Sequence, residues 1–393
     1  MSDEYVQIEI DLLPRLLADR WAQVGVSSDS LSVQEIGDGN LNRVFRLRDA
    51  SGSSAIVKQA LPYLRVDTSW KLSRHRIVNE ARVHAEHLAA DPEHLPRIFV
   101  LDEDLSALLM EDLGHLQLVR DSRDAAVHAT AASAVGRYIA RCSQASSLLA
   151  LTPTALRKKS ATFQNSELCA ISERLVFTEP FTMGHPHNTY PEALEGMVKR
   201  LTTSPHVTAA AYDAYELFVT SREALIHGDL HAGSVMSTAT ETKVIDFEFG
   251  CYGPIGFDLG TYWASEIIEA AVQRTHFGSN DVQPRLDLVN VTWNAFASEW
   301  ARGCESVDNG RPRPTDTTVS RILGESVLFT AVELTRRAIG FAKAANVSTL
   351  EPQARETATI FMLEAAASLF DLSRSRSVTV ADLVAALETV RCR

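Results

Sequence analysis

The sequence lacks several features that would point to whole classes of protein. Its net charge is −12 at pH 7, so it has no basic excess of the kind that nucleic-acid binding requires. No apolar run reaches the roughly 18 residues that a membrane span needs. The N-terminal segment MSDEYVQIEIDLLPRLL is acidic, which argues against a signal peptide. We therefore expect a cytoplasmic protein that acts on small molecules, away from nucleic acids and membranes.

Cysteine is scarce and shows no metal-binding pattern. The chain has five cysteines, an odd number, and none form a CxxC pair: Cys142, Cys169, Cys251, Cys304 and Cys392. Such a set predicts reduced thiols, with neither a disulfide framework nor a zinc site.

What is present divides into two parts, because 393 residues are too many for one small core. Up to residue 113, period-2 alternation and turn residues predict strands within 31–50, 53–60 and 97–113. Between them, residues 73–90 have helical spacing, with Ser73 as a possible cap.

After residue 113, helical periodicity dominates. Six Ala- and Leu-rich stretches predict helices: 122–150, 191–221, 283–303, 317–346, 352–374 and 379–391. Strands are predicted only within 225–250. The outline is an α+β, bilobal fold, with a small β-rich N-terminal lobe over 1–113 and a large, mostly helical lobe over 114–393.

Residues 225–250, LIHGDLHAGSVMSTATETKVIDFEFG, bring three acids to the ends of two apolar segments. Asp229 follows the first segment, and an acid in such a loop can orient a hydroxyl or accept its proton. On an extended segment, Asp246 and Glu248 would point to one face. Two close carboxylates repel each other unless a cation lies between them, and oxygen ligands suit Mg²⁺. A capping aspartate and a solvated edge strand are the structural alternatives.

The N-terminal part supplies motifs typical of phosphate binding. The turn Gly37-Asp38-Gly39-Asn40 lies between two strands and could bring backbone amides to phosphates. Lys58 lies in an apolar strand and needs a partner, for which Glu80 on the next helix is a candidate. The segment MEDLG, 110–114, connects the lobes and could bind an adenine edge. Each signal is weak alone, but together, in this order, they predict phosphoryl transfer from ATP.

The order of these motifs and the HGDLH loop resemble the aminoglycoside phosphotransferase and choline kinase superfamily, which has the protein-kinase-like fold. Within it, the chain is most similar to the methylthioribose kinases. The similarity covers nearly the whole chain and is carried by EIGDGNLNRVFRL, VKQALPYLRV, MEDL, FQNSELCAISERLVFTEPF, HGDLHAGSVM, VIDFEFGCYGPIGFDLG and ELTRRAIGFA. Ser234 stands where most of the superfamily has a metal-binding Asn, and Phe247 stands where the methylthioribose kinases usually have Pro.

The resemblance implies a role for each matching residue. Residues implied to bind ATP are Asn40, Lys58, Glu111, Asp112, Leu113, Asp246, Phe247 and Glu248. Residues implied to bind Mg²⁺ are Asp246, Glu248 and Ser234. Asp229 would act on the C1 hydroxyl of 5-methylthioribose, in methionine salvage.

Arg336 and Arg337 are implied to contact the sugar and the transferring phosphate, where a cation would offset negative charge. Because they are adjacent on a helix, at most one is expected to point straight at the site. The resemblance also implies a homodimer. Two alternatives stay open: a kinase of another small hydroxylated compound, such as 5-deoxyribose or an aminoglycoside, and a catalytically inactive binding protein with a kinase fold.

Overall fold

The computed structural model describes residues 5–36, 39, 41–65, 67–277, 283–306, 316–375 and 377–391. The chain forms two compact units. The first unit comprises Met1–His115 with Ile245–Phe249, and the second comprises Leu116–Val244 with Gly250–Arg393. This division differs from a single cut after residue 113, because the segment that carries Asp246 and Glu248 folds with the first unit.

The first unit is built around a five-stranded antiparallel sheet in the order β1-β2-β3-β7-β6. Its strands and helices are α1 (Leu13–Asp19), β1 (Ser32–Ile36), β2 (Asn42–Arg48), β3 (Ser54–Ala60), β4 (Tyr63–Leu64), β5 (Asp67–Lys71), α2 (Arg76–Ala90), β6 (Ile98–Asp102) and β7 (Ala107–Glu111). Central β3 is buried over almost its whole length, since its neighbours β2 and β7 cover both edges.

The sequence predicts most of this unit correctly. The strands expected within 31–50, 53–60 and 97–113 form as β1, β2, β3, β6 and β7. The helix expected over 73–90 begins at Arg76, with His75 as its N-cap residue. Ser73 instead lies before the helix, where its hydroxyl accepts a hydrogen bond from the His75 N–H at 3.2 Å.

The second unit is mostly helical, with three short strand pairings. Its elements are β8 (Gln117–Leu118), α3 (Ala125–Ser146), α4 (Pro153–Thr162), α5 (Ser166–Ser172), α6 (Glu195–Thr202), α7 (Pro205–Thr220), β9 (Ala224–Ile226), β10 (Val235–Ser237), β11 (Thr242–Val244), β12 (Cys251–Gly253), α8 (Ile255–Phe277), α9 (Gln283–Ser306), α10 (Asp316–Ile339), α11 (Ala345–Ser348), α12 (Pro352–Leu372) and α13 (Val380–Arg391). Strands β11, β10 and β8 form one sheet, and β12 pairs with β9.

Two helical predictions in this unit need correction. The stretch 191–221 forms two helices, because Pro205 starts a new helix at its N1 position. The stretch 317–346 ends as a helix at Ile339, next to Gly340. Helix α8 was not predicted: most of the residues of its first five turns are buried, so it has no polar face and no 3.6-residue period.

Helix α4 was missed for the opposite reason, because it has no buried residue and therefore no apolar stripe. In the part of the chain that the structure describes, no helix combines the length and apolar character needed to cross a bilayer.

Candidate active site

Lys58 lies on β3, the central strand of the five-stranded sheet in the first unit. Its backbone is paired with Val44 of β2 and Leu108 of β7, and its side chain is only 5% exposed. The ammonium donates to Glu80 Oε1 of α2 at 2.8 Å and makes a second, short contact with Asp246 Oδ1. The predicted Lys58–Glu80 pair is therefore confirmed, and a buried lysine has the partners that it requires.

The electrostatics of this cluster are set by an excess of acids. Burial lowers the pKa of Lys58, but the Asp246, Glu80 and Glu248 carboxylates outweigh it and raise the pKa above its usual value. The pKa of Glu80 is raised to about 7, chiefly by burial. The neighbouring Glu248 and Asp246 carboxylates raise this pKa further, and the Lys58 ammonium lowers it. Lys58 is thus charged at neutral pH, as a group that binds phosphate must be.

The expected extended segment at Asp246 and Glu248 does not form. Strand β11 ends at Val244, Asp246 has a left-handed backbone with φ of 72°, and Phe247–Phe249 is a 3-10 turn. Asp tolerates this region better than most residues. A turn therefore sets the positions of the two carboxylates, and the alternation of side chains along a strand does not. The segment is nevertheless anchored, since Phe247 is buried with its ring edge-on to the rings of His84 and His87.

Glu248 is held by two residues that sequence reasoning missed. Its carboxylate accepts from Asn42 Nδ2 at 3.2 and 3.3 Å and from Arg76 Nε at 3.3 Å. Arg76 also donates to the Leu61 carbonyl at 2.7 Å. The signal in the sequence was an arginine near the predicted start of the helix, four residues before Glu80; the burial of Arg76 is a property of the folded structure.

The expected Mg²⁺ fits this donor set. Asp246 and Glu248 offer only oxygen atoms, which suit a hard dication, and the Asp246 side chain is 49% exposed. Together with Glu80 they place three carboxylates beside two cations, Lys58 and Arg76. The remaining negative charge favours binding of a further cation.

The other residues expected to bind ATP have different surroundings. Asn40 lies outside the described residues. The Asp112 carboxylate accepts from Arg46 Nε and from the Gly114 N–H, each at 3.0 Å. Glu111 accepts from the Arg97 N–H at 3.0 Å, and Leu113 is buried. The connector side chains therefore hold their own unit together, and a nucleotide contact through their backbone stays a prediction.

Asp229 of the second unit lies in the loop after β9, as predicted. Gly228 has φ of 82°, a backbone conformation that glycine adopts without a steric penalty. The buried Asp258 carboxylate accepts from the His227 N–H at 2.7 Å and from the Gly228 N–H at 3.0 Å. Burial raises the pKa of Asp258 to about 7, although these two donors oppose the rise. Asp258, which sequence reasoning missed, holds the backbone directly before Asp229.

Three basic side chains surround the Asp229 carboxylate. Its Oδ1 lies 3.7 Å from Arg337 and 3.9 Å from Arg336, and its Oδ2 lies 3.6 Å from His231 Nε2. Because His231 Nδ1 accepts from the Gly233 N–H at 2.9 Å, a neutral ring carries its proton on Nε2, toward Asp229. Burial opposes ionisation of Asp229, but these neighbours outweigh it and hold the pKa well below its usual range.

Both arginines reach Asp229, so the expectation that at most one could do so is wrong. Glu333, one turn earlier on α10, accepts from Arg336 at 2.8 and 2.9 Å and from Arg337 Nε at 2.6 Å. It is 2% exposed. The Cβ atoms of two adjacent helix residues point in different directions, but the arginine side chains are long enough for their guanidinium groups to meet. The shared Glu333 carboxylate holds both groups in that position. The arginines are also too buried to be an ordinary surface pair.

The Ser234 hydroxyl is occupied within its own loop. It accepts from the His231 N–H at 2.9 Å and lies 2.9 Å from both the Asp229 and His231 carbonyls, to which it can donate. Ser234 therefore closes the turn that follows Asp229, and a metal contact stays a prediction.

The two units thus offer complementary chemistry. The first has a charged lysine and an excess of carboxylates, which suit phosphates with a divalent ion. The second has an ionised aspartate flanked by two anchored arginines, which suits a hydroxyl that is about to acquire a phosphoryl group.

Known proteins resemble this chain over most of its length. Residues 32–288 match the model of the phosphotransferase enzyme family. The chain is 35% identical to the methylthioribose kinase of Enterobacter sp. (strain 638) over 338 residues, which cover 83% of this chain and 84% of that one. It is 34% identical to the methylthioribose kinase of Bacillus velezensis over 337 residues, or 83% and 82% of the two chains.

Among solved structures, choline kinase from Cryptosporidium parvum shares the fold. The TM-score is 0.51 at 12% identity, with 92% of this chain and 97% of that chain covered. The predicted protein-kinase-like fold is confirmed by this likeness.

Proposed function

Since this chain belongs to the phosphotransferase enzyme family, we propose that it transfers the γ-phosphoryl group of ATP to the C1 hydroxyl of 5-methylthioribose. The oxygen of that hydroxyl would form a bond to the γ-phosphorus, while the bond from phosphorus to the β,γ-bridging oxygen breaks. The products would be 5-methylthioribose 1-phosphate, ADP and a proton. Such a step would serve methionine salvage.

The proposal that 5-methylthioribose is the acceptor rests on the similarity to methylthioribose kinases, which is 34–35% identity over 82–86% of this chain. The arginines beside Asp229 agree with it. An aminoglycoside is polycationic and would require an excess of acids, whereas here two guanidinium groups offset the two carboxylates Asp229 and Glu333.

In this proposal the first unit holds the nucleotide. Lys58 would bind ATP phosphates, with Glu80 keeping the ammonium in place. Asp246 and Glu248 would hold Mg²⁺, which supplies charge neutralisation for the leaving group. Asn42 and Arg76 would fix the Glu248 carboxylate for that purpose.

The second unit would hold the sugar and direct its hydroxyl. The low pKa of Asp229 makes it a weak base, so we infer that it accepts a hydrogen bond from the C1 hydroxyl and orients it more than it removes the proton. Arg336 and Arg337 would stabilise negative charge on the transferred group. A homodimer and a cytoplasmic location stay predictions.

The test is a coupled ADP-release assay with Mg-ATP and five acceptors: 5-methylthioribose, 5-deoxyribose, ribose, choline and kanamycin. We expect kcat/KM to be highest for 5-methylthioribose, and the phosphorus-31 spectrum of the product to show an anomeric phosphate. A higher kcat/KM for any other acceptor, or no turnover with bound ATP, would overturn the proposed substrate.

A further inference from the structure

A group of potential metal ligands lies in the second unit, outside the residues assigned to ATP, Mg²⁺ or sugar. Glu179, His185 and His187 each offer one ligand atom, and these atoms all lie within 4.8 Å of one another. The Glu179 Oε2 atom is 2.6 Å from His187 Nδ1 and 3.8 Å from His185 Nδ1. We propose that these three residues form a binding site for a divalent transition-metal ion of the Zn²⁺ class.

The spacing of the three ligand atoms suits a tetrahedral ion. With metal–ligand bonds of about 2.0–2.1 Å, neighbouring ligands of a tetrahedral ion lie about 3.3 Å apart. The two separations from Glu179 lie on either side of this value, and all three ligand atoms lie within 4.8 Å of one another. Shifts of about 1.5 Å or less would therefore bring them to tetrahedral spacing. Three protein ligands leave a fourth position for water.

The donor set selects the class of ion. Two imidazoles and one carboxylate are typical of zinc and similar ions, whereas Mg²⁺ prefers oxygen atoms. This site would therefore not compete for the Mg²⁺ that the phosphoryl transfer requires, and the two metals can be distinguished experimentally.

The carboxylate is already oriented for this role. Glu179 is 4% exposed, and Arg174 Nε bonds its other oxygen, Oε1. Oε2 is thereby left to face the two imidazoles, which are about 27–29% exposed and thus accessible from solvent. His187 Nδ1 forms a hydrogen bond with Glu179 Oε2 at 2.6 Å, and a metal would replace the proton of that bond.

The loop that carries the histidines is pre-ordered. We call residues 182–190 the HPH loop. Asn188 Nδ2 donates to the carbonyls of Glu179 at 2.8 Å and Thr182 at 3.2 Å, which folds the loop back on Glu179. Gly184, with φ of 71°, makes the turn before His185. Little chain entropy would be lost on metal binding, because both imidazoles are already near Glu179.

The HPH loop is also attached to the end of α10, the helix that carries Arg336 and Arg337. The Thr189 N–H donates to the Ile339 carbonyl at 2.9 Å, and the His187 ring lies 4.8 Å from that of Phe341. A bound ion would therefore cross-link the HPH loop to Glu179 and stiffen the support of that helix end.

Binding of Co²⁺ tests the proposal directly, because a four-coordinate Co²⁺ site absorbs in the visible range. The full-length protein would be titrated with Co²⁺ in buffer containing excess Mg²⁺, and Zn²⁺ would then be added. We expect one Co²⁺ per chain with four-coordinate bands, displaced by one equivalent of Zn²⁺.

The variant H185Q/H187Q should lose that equivalent, and E179Q should bind at least about 10-fold more weakly. H206Q is the matched control in the same unit and should bind as the wild type, since the His206 contacts are with the Phe370 carbonyl at 2.8 Å and with Asp371 at 3.8 Å, away from Glu179. The single variant H185Q guards against misfolding and should also weaken Co²⁺ binding. His185 Nδ1 accepts a long, 3.3 Å bond from the His187 N–H, which a metal bound at this nitrogen would replace, so the folded protein loses little when the imidazole is removed. Circular dichroism and ADP release would verify folding of each variant.

Two results would overturn the proposal. One is wild-type protein that binds no stoichiometric Co²⁺, in which case Glu179 and His187 form a hydrogen bond only. The other is binding that survives in H185Q/H187Q but is lost in H94Q, because Asp91, Glu93 and His94 form a second cluster of potential ligands in the first unit. Neither result affects the proposed kinase activity, which the acceptor assay tests separately.

Discussion

Two buried or half-buried carboxylates, Glu80 in the first unit and Asp229 in the second, have basic neighbours but opposite pKa shifts. Glu80 shares the Lys58 ammonium with Asp246, beside Glu248, and its pKa rises to about 7. Asp229 faces two guanidinium groups and His231, and its pKa falls well below the usual range. Two things differ. Glu80 is more deeply buried, with a side chain that is 1% exposed against 34% for Asp229, and it has more acids per cation around it.

This contrast indicates what each unit can bind. The first cluster sets three carboxylates against Lys58 and Arg76 and keeps an excess of negative charge, so it gains from a dication. The second sets Asp229 and Glu333 against Arg336 and Arg337 and is balanced. A balanced cluster accepts a neutral sugar hydroxyl without a counter-ion. Changes that alter either balance should therefore have distinct kinetic signatures.

The largest effect is expected from D229N, which removes the acid of the balanced cluster. Asparagine keeps the size but replaces the ionised acceptor, and it removes one of the two carboxylates, Asp229 and Glu333, that offset the charge of the two arginines. We expect kcat for ADP release with 5-methylthioribose to fall by about 10²–10⁴-fold, with ATP affinity unchanged.

The control for D229N is D213N, a change at an exposed aspartate of α7, which should keep wild-type kcat. A D229N enzyme within tenfold of wild type, after correction for any contaminating activity, would exclude Asp229 from the transfer step.

The next largest effect is expected from E333Q, which keeps Asp229 but loosens both arginines. Glutamine has one acceptor oxygen where Glu333 uses two. Because misplacement of a catalytic group by about 1 Å can cost 10²-fold, we expect kcat/KM for the sugar to fall by about that factor. The KM for ATP should stay unchanged, and E333D should recover part of the loss.

A matched control for E333Q lies on the same helix. Glu325 also pairs with an arginine, Arg321, in an i,i+4 ion pair, so E325Q should test ion-pair loss in α10 without loss of the Asp229 contacts. If E325Q and E333Q lowered kcat/KM equally, the effect would come from helix stability, and Glu333 would have no positioning role.

The sequence predicts the first unit well because its signals are local. Strand alternation and turn residues predict β1–β3, β6 and β7, and a lysine in an apolar strand followed by a helix glutamate predicts the Lys58–Glu80 pair. The second unit is harder, because α8 is buried on most sides and has no amphipathic period.

The details of the site depend on tertiary structure that no local pattern encodes. Asp246 and Glu248 look like alternating strand residues, but a left-handed residue and a 3-10 turn place them. The convergence of Arg336 and Arg337 requires Glu333, whose importance is visible only once its carboxylate is seen between them. The sequence therefore predicts which charged residues lie in the site, but their positions relative to one another are known only from the folded structure.

E248Q should reduce the excess charge of the first cluster and leave the second intact. Glutamine can still accept from Arg76 and Asn42, but it removes one negative charge from the proposed Mg²⁺ ligands. We expect the Mg²⁺ concentration for half-maximal rate to rise by about 10–100-fold at saturating sugar. The measurement is ADP release across a Mg²⁺ titration at fixed ATP.

The control for E248Q is E35Q, because Glu35 pairs with Arg43 on the same sheet but is no part of the cluster. An E248Q enzyme with wild-type Mg²⁺ dependence and a raised sugar KM would reverse the assignment of the two clusters.

The smallest effect is expected from S234A, which separates the two possible roles of this hydroxyl. This hydroxyl bonds the Asp229 and His231 carbonyls and so ties the loop together. Its loss should destabilise the fold by about 0.5–1.5 kcal/mol and lower kcat by at most about 12-fold. The Mg²⁺ dependence should then match that of wild type. S237A, which removes another buried serine that bonds only its own hairpin and Thr242, is the control for general loss of stability. If S234A instead shifted the Mg²⁺ titration as E248Q does, Ser234 would belong with the metal ligands, and the hydrogen bonds seen here would have to break on metal binding.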